Sequence, residues 1–363
     1  MSKIAEPQPT YSTDAIVERI FNAALETMDL LAVYVGDRLG LYTALAAAPP
    51  MTPAELAGAT GTAERYAREW LEQQATTGFL AAHESSEGRR FSLPAEHAEA
   101  LVRPTSLAHM APLARFLVAA ANRAPDLLDA FRTGEGLPWD AYGADAREAQ
   151  SDFNRPLFHH QFVGEHLSAV PGLAASLARS GARVAEIGFG GGWAAISIAQ
   201  AFPDIRVDGF DLDAASVDLA RANAEAEGVS HRVTFHHRDA GDGALDGQYD
   251  LVFAFECVHD MSNPVASLAT MRRLAAPGGT VLVVDERVGE RFGENIGDPI
   301  ERLMYGFSLF VCLPNGLADS PSAATGTVMR PSTLDGYAVE AGFRGIDILP
   351  VEHDMFRYYR LRT

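Results

Sequence analysis

Three kinds of residue in this 363-residue chain stand where they can do chemistry. Gly188, Gly190 and Gly192 fall in the run Val184-Ala-Glu-Ile-Gly-Phe-Gly-Gly-Gly-Trp193, between an apolar stretch and the helical pattern Ala194-Ala-Ile-Ser-Ile-Ala-Gln-Ala201. Glycines there let the backbone turn sharply and approach a ligand that a Cβ would hold off. The second kind is acidic: Glu186 stands two residues before the first glycine, and Asp211 and Asp239 follow. An acid about 20 residues beyond such a turn is where an open α/β sheet binds both hydroxyls of a ribose. The third is His259-Asp260, because an imidazole titrating near neutral pH can take a proton from a reacting group.

Only a parallel sheet brings these residues together. Val184 to Ile187 reads as a first strand, and Arg206-Val-Asp-Gly-Phe-Asp211 as a second with Asp211 at its carboxyl end. Arg232 to His236 is a third strand and runs into His237-Arg-Asp239-Ala240. Tyr249 to Phe255 is a fourth, followed by Glu256-Cys-Val-His259-Asp260. A helix through Met271 and Leu274, then Pro277-Gly-Gly279, leads to a fifth strand, Val281 to Asp285. Gly345 to Pro350 and Met355 to Leu361 close the sheet. Strand, glycine turn and helix open a Rossmann-like βαβ unit. At this point a nicotinamide site stays open, since Gly190-Gly-Gly192-Trp-Ala-Ala195 also fits the dinucleotide pattern GxGxxA.

The order E-x-G-x-G-x-G, an acid ending strand two, Asp-Ala after strand three and P-G-G before strand five resembles the class I S-adenosylmethionine (SAM) methyltransferases. The resemblance covers roughly residues 165–363. It implies an α/β fold with a Rossmann-like sheet of seven strands, the last antiparallel. It also implies that Gly188, Gly190 and Gly192 curve under the methionine part of SAM, that Asp211 holds the ribose, and that Asp239 accepts from the adenine amino group. Glu186, Phe189, Leu212, Ala240 and Phe255 complete the expected cofactor set, with S-adenosylhomocysteine as product. SAM is a cationic sulfonium, so acids and apolar walls suit it better than phosphate-binding lysines. No Lys stands near the glycines, and Trp193 replaces the third glycine of a GxGxxG starting at Gly188.

The remaining sequence bounds what the domain can serve. Hydrophobic residues make up 47 %, which is globular, and no apolar run approaches the roughly 18 residues of a membrane span. Residues 1–11 read as a disordered lead-in without a signal-peptide core. Cys257 and Cys312 fit no metal spacing, and a reducing cytoplasm is the expected location. A net charge of −19 disfavours nucleic acid or anionic lipid as a partner. Residues 12–104 read as an all-helical, winged-helix domain. A helix from Ser12 to Val35 comes first, with Ile16, Ile20, Ala24, Met28 and Leu31 at helical spacing. Thr52-Pro-Ala-Glu55 is a capping box, and a helix from Thr62 to Thr76 turns Tyr66, Trp70 and Leu71 inward. A hairpin follows, Phe79 to His83 and Arg89 to Leu93. Residues 1–103 carry 8 Lys and Arg against 14 Asp and Glu, and Glu64, Arg65, Arg68, Glu69 and Glu72 leave no basic stripe for DNA. Small-molecule O-methyltransferases are similar here, and the resemblance implies that this domain builds a homodimer.

Residues 105–176 read as connecting helices over the active site, 177–363 as the SAM domain, and 287–332 within it as a substrate lid holding an apolar helix, Ile300 to Phe310. Phe158, His159, Phe162, Met304 and Tyr305 are candidate substrate walls. Val258-His259-Asp260 resembles the His-Asp pair that follows strand four in O-methyltransferases, whose histidine deprotonates the acceptor; the usual Trp after it is Met261 here. Asp285 or Glu286 is placed to orient His259. His159, His160, His259 and Asp285 show no helical ligand spacing, and no metal is expected. The expected function is methyl transfer to a small molecule, at oxygen first, then nitrogen or carbon. Two alternatives are a SAM-binding transcriptional regulator using the winged helix, and a protein that keeps SAM without transferring its methyl group.

Overall fold

A computed structural model describes residues 12–84, 86 and 88–363 of the chain. The expected lead-in at 1–11, and Ser85 and Glu87 of the hairpin turn, lie outside the described residues. The chain divides into two compact units, Met1–Ala114 and Arg115–Thr363. The stretch expected to connect them, 105–176, is divided between the two, and most of it belongs with the sheet.

In the first unit α1 (Thr13–Arg38) begins at Ser12, whose hydroxyl accepts the Ala15 N–H at 3.1 Å. After α2 (Leu41–Ala46), α3 (Pro53–Thr60) starts with the expected capping box, Thr52 and Glu55 each serving the other's backbone N–H. Gly61, at φ 67°, ends it. α4 (Glu64–Thr76) buries Ala67, Trp70, Leu71 and Gln74, the 3-4-7 spacing of one helix face. Tyr66 was expected inward but is 81 % exposed, because it stands one residue off that stripe. β1 (Ala81–His83) and β2 (Arg90–Ser92) pair antiparallel as the wing, and α5 (Ala95–Leu101) follows. The core is Leu41, Tyr42, Leu56, Trp70, Leu71 and Phe91.

α6 (Ala111–Asn122), across the unit boundary, leads to α7 (Ala124–Thr133) and α8 (Gly143–Leu157). Pro156, near the end of α8, has no N–H to give the preceding turn, and the chain continues as a π-helix over Phe158–Leu167. After α9 (Leu173–Leu177) the α/β alternation begins: β3 (Arg183–Ile187), α10 (Trp193–Ala201), β4 (Arg206–Asp211), α11 (Ala214–Ala226), β5 (Val233–His237) and β6 (Tyr249–Phe255). It continues through α12 (Pro264–Leu274), β7 (Ala275–Glu286), α13 (Pro299–Phe307), α14 (Leu313–Gly316), α15 (Pro331–Glu340), β8 (Ile346–Ile348) and β9 (Phe356–Leu361). The seven-stranded sheet has the order β5-β4-β3-β6-β7-β9-β8, and β9 runs antiparallel to β7 and β8. β3 lies inside the sheet between β4 and β6. Alternate β3 residues feed opposite faces, Val184 one apolar layer and Ala185 and Ile187 the other. Cover on both faces explains why these strands are apolar almost throughout. The segment expected as one buried helix is α13 plus a π turn over Ser308–Cys312, and Leu309 and Phe310 remain about 40 % exposed.

Candidate active site

The glycine turn sits at the carboxyl end of β3, where a parallel sheet forms its ligand crevice. Gly188, Gly190 and Gly192 have φ of 67°, 50° and 75°, the left-handed region. At Gly190 a Cβ would meet no atom within 4 Å, so the backbone faces open space. At Gly192 a Cβ would come within 2.5 Å of the Phe235 ring, and its absence lets α10 pack on the sheet. Asp211 stands at the end of β4 as expected. One carboxylate oxygen accepts the Gly190 N–H at 3.0 Å and the other the Asp213 N–H at 2.9 Å. Burial raises its pKa against those bonds. Glu186 is 2 % exposed and accepts the Ala195 N–H at 3.0 Å, supplying the side-chain cap that Gly192 lacks at the start of α10. Its carboxyl is pushed well up by burial. Asp239 is exposed and folds its carboxylate onto the Gly241 N–H at 2.7 Å, next to Ala240. Leu212 is 62 % exposed beside Asp211.

Two residues of the expected cofactor set are nearly fully buried. The rings of Phe189 and Phe255 are each 5 % exposed and belong to the core, Phe189 against Phe235 and Phe255 against Phe158. Both residues flank strand ends, where a side chain of this size is more stable under the helices than in water.

The sequence reading missed the part played by α8, which is bonded across the strand ends. Arg147 pairs with Asp213 at 2.6 Å, and Ser151 accepts the Trp193 indole N–H at 2.9 Å. Arg155 stacks over the Trp193 ring at 4.1 Å and pairs with Glu227. Gln150 and Asn154 donate to one oxygen of Glu256 at 2.9 and 2.6 Å. The hydrogen-bonded partners are 42 to 106 residues apart in sequence, and no local pattern announces them.

His259 lies just past β6, in a helical turn over Val258–Asp260, and is 1 % exposed. Its Nδ1 is 2.7 Å from Asp285 and 3.0 Å from Glu286, and its Nε2 is 3.4 Å from Asp260. The expected orienting acid is therefore present, and Nδ1 is the nitrogen it engages. Burial works against the imidazolium, but Asp285, Glu286 and Asp260 outweigh it and raise the pKa well above 6.5. Asp285 is lowered, its burial overcome by His259, whereas burial drives Glu286 well up. The acids around His259 thus favour its protonated form, while burial favours the protonated form of Glu286. Burial also raises the Cys257 thiol well above its ordinary value and the Cys312 thiol to about 12, so neither is a thiolate nucleophile at neutral pH.

Residues 287–332 close over this corner. His259 and Ser262 carbonyls accept the Gly326 and Ala323 N–H groups at 3.1 and 2.8 Å. Within the segment, Arg330 pairs with Glu301 at 3.2 Å and donates to the Tyr305 hydroxyl at 2.8 Å. Of the expected substrate walls, Phe158, Phe162 and Met304 are 8 %, 0 % and 1 % exposed. The π-helix turns the two phenylalanines into one cluster with Phe255. Tyr305 is 40 % exposed, and His159 is exposed with its ring edge-on to His160. Among the described residues two sets of groups have ligand-spaced atoms, His259-Asp260-Cys312 and His259-Asp285-Glu286; neither includes His159 or His160.

The residues present fit SAM. Space is open at Gly190, and an acid ends β4 with its carboxylate on the Gly190 N–H. Comparison with known proteins agrees. Residues 184–279 match a methyltransferase domain, and residues 27–103 match the Rv2258c-like winged HTH domain. A ubiquinone biosynthesis O-methyltransferase of Aromatoleum aromaticum is 27 % identical over 177 residues, 48 % of this chain and 69 % of that protein. Human N-acetylserotonin methyltransferase, solved in complex with SAM, shares the fold at TM-score 0.69 and 19 % identity, covering 98 % of this chain and 99 % of that one. An O-methyltransferase family protein from Burkholderia thailandensis does so at TM-score 0.68 and 19 % identity, covering 97 % and 98 %. With glycine turn, strand-end acids and matched domains in agreement, the chain is a class I SAM-dependent methyltransferase with a winged helix-turn-helix domain ahead of its methyltransferase domain.

Proposed function

We propose that the protein methylates a small-molecule acceptor, at a hydroxyl oxygen in preference to nitrogen or carbon, with His259 taking the acceptor's proton. The observation that carries this reading is the His259–Asp285 contact of 2.7 Å at the carboxyl ends of β6 and β7. SAM, when bound, supplies a methyl group already activated by its sulfonium. The chain's own work is to hold the acceptor in line, exclude water and receive a proton. Gly188, Gly190, Gly192, Asp211 and Asp239 hold the cofactor in this reading. Asp285 holds Nδ1 of His259, and Nε2, beside Asp260, receives the proton. Residues 287–332 act as the substrate lid, with Tyr305 and His159 facing the acceptor. The first unit joins two copies through α1, which buries Val33 and Gly36 but leaves Ile16, Ile20, Phe21, Leu25 and Met28 each at least half exposed.

Against the regulator reading, four arginines of α4 and the wing are engaged by acids. Arg68 pairs with Glu64 at 2.6 Å, Arg65 with Glu69 at 2.5 Å, Arg89 with Glu84 at 2.6 Å and Arg90 with Glu55 at 2.8 Å. The test is transfer of labelled methyl from SAM into a small-molecule extract, run with wild type and His259→Ala. A labelled product with wild type, lost with the variant, is expected. Product at equal rate with both removes His259 as base. No product from either, with SAM bound, favours the regulator or a non-transferring protein.

A further inference from the structure

Glu256 is a carboxylate with an unusual set of costs. It is the first residue after β6, and its φ is 54° although it is not glycine, a strained conformation for a side chain of this kind. Its N–H bonds to the Val284 carbonyl at 2.8 Å, which fixes the kink against the neighbouring strand. The side chain is partly buried, and one oxygen receives both amides of α8, Gln150 at 2.9 Å and Asn154 at 2.6 Å. Among the described residues the other oxygen has no hydrogen-bond partner, and no Lys or Arg forms a salt bridge with Glu256. The nearest titratable neighbours are His259, already paired with Asp285, and Asp285 itself. Burial pushes its pKa up to about 7 despite the amides and His259, as for an acid missing a cation.

The position matters as much as the charge. Glu256 is next in sequence to Cys257, whose sulfur would lie 2.6 Å from a Cβ on Gly188, so it stands beside the glycine turn. α8, which orients it, also contacts that turn through Ser151 and Trp193. We propose that Glu256 is the counter-charge for the α-ammonium group at the amino-acid end of SAM. SAM carries two cationic groups, and only one suits this acid. The ammonium offers three N–H donors to an oxygen that lacks a partner. A carboxylate seated at the sulfonium would instead stand as a rival methyl acceptor. Gln150 and Asn154 are then positioning residues that keep the second oxygen engaged and the first available.

The assignment rests on SAM as the ligand of the glycine turn. Its test is calorimetric binding of SAM, S-adenosylhomocysteine and methylthioadenosine, which lacks the amino-acid end, to wild type and Glu256→Gln. Loss of a charge-assisted hydrogen bond should weaken SAM and S-adenosylhomocysteine alike, about 10- to 100-fold, and leave methylthioadenosine unchanged. Unchanged SAM binding overturns the assignment, as does weakening of SAM alone, which would put the acid at the sulfonium. Equal weakening of all three ligands by Glu256→Gln would reflect a distorted site, and Asn154→Leu then decides. That variant keeps the charge and removes one orienting amide. SAM and S-adenosylhomocysteine weakened relative to methylthioadenosine support the proposal, and no such difference overturns it. Wild type that binds none of the three overturns the SAM reading as well, which separates the two failures.

Discussion

At the scale of single residues, two carboxylate contacts decide what His259 can do. Asp285 keeps Nδ1 engaged, and together with Glu286 and Asp260 it raises the pKa well above 6.5. A base must be neutral before it accepts a proton, so the methylation rate should climb as pH rises from 6 through neutrality and level off on the alkaline side. A rate flat over that range would contradict the base role. His259→Ala should lower kcat about 10²- to 10⁴-fold with little change in SAM affinity, measured by initial rates and calorimetry. The same contact has a stability signature. A folded pKa raised above the unfolded value contributes stability that is full below pH ~6.5 and lost as pH rises through the folded value. Asp285, lowered in the fold, contributes above the usual carboxylate range and loses its contribution as pH falls through its folded pKa. Asp211→Ala removes the acceptor for two backbone N–H groups and the proposed ribose partner. SAM should bind at least about 10-fold more weakly, seen by calorimetry.

At the scale of elements, α8 holds the strand ends through bonds that no single strand or helix could supply. The Arg147–Asp213 pair is the strongest candidate for a clamp, since both side chains are about 85 % buried. Its carboxylate is lowered chiefly by Arg147 and Ser216 acting against burial. Arg147→Ala should cost roughly 1.5–3 kcal/mol, read as a lower melting temperature at pH 7. The difference from wild type should shrink as pH falls through the folded pKa of Asp213, because protonation removes the pair in the parent as well. An equal difference at all pH values would mean that Arg147 acts by packing. Most of the strands were legible because parallel strands covered on both faces are short apolar runs that end in acids and glycines. The role of α8 was not, because Gln150, Ser151 and Asn154 look like any polar helix face until their distant partners are known. The π-helix was hidden for the same reason, and with it the inward turn of Phe158 and Phe162.

At the scale of the whole molecule, α1 is the feature that a single copy leaves unexplained. Its apolar residues recur at helical spacing yet are mostly exposed, in a chain that carries net charge −19. Light scattering should give twice the 39.0 kDa of one chain. Ile20→Glu with Phe21→Glu should give monomers that keep their secondary structure. A wild-type monomer would sink the dimer reading. Gel shifts with genomic fragments at low salt should show no complex, since Arg65, Arg68, Arg89 and Arg90 of the α4 and wing surface already face acids.

Sequence alone determined the order of strands, the glycine turn, the acid ending β4, the capping box and the His-Asp pair. Each rests on residues close together in the chain, so spacing carries the information. It also indicated SAM over a dinucleotide, through the acids and the lack of a nearby lysine. Tertiary structure decided the rest. It sent Phe189 and Phe255 into the core, used Glu186 to cap α10, surrounded His259 with three acids and placed two amides of α8 on Glu256. The physical reason is common to all four. The charge state and accessibility of a side chain depend on what other segments bring within a few ångströms of it, and in a parallel sheet those neighbours come from crossovers tens of residues away.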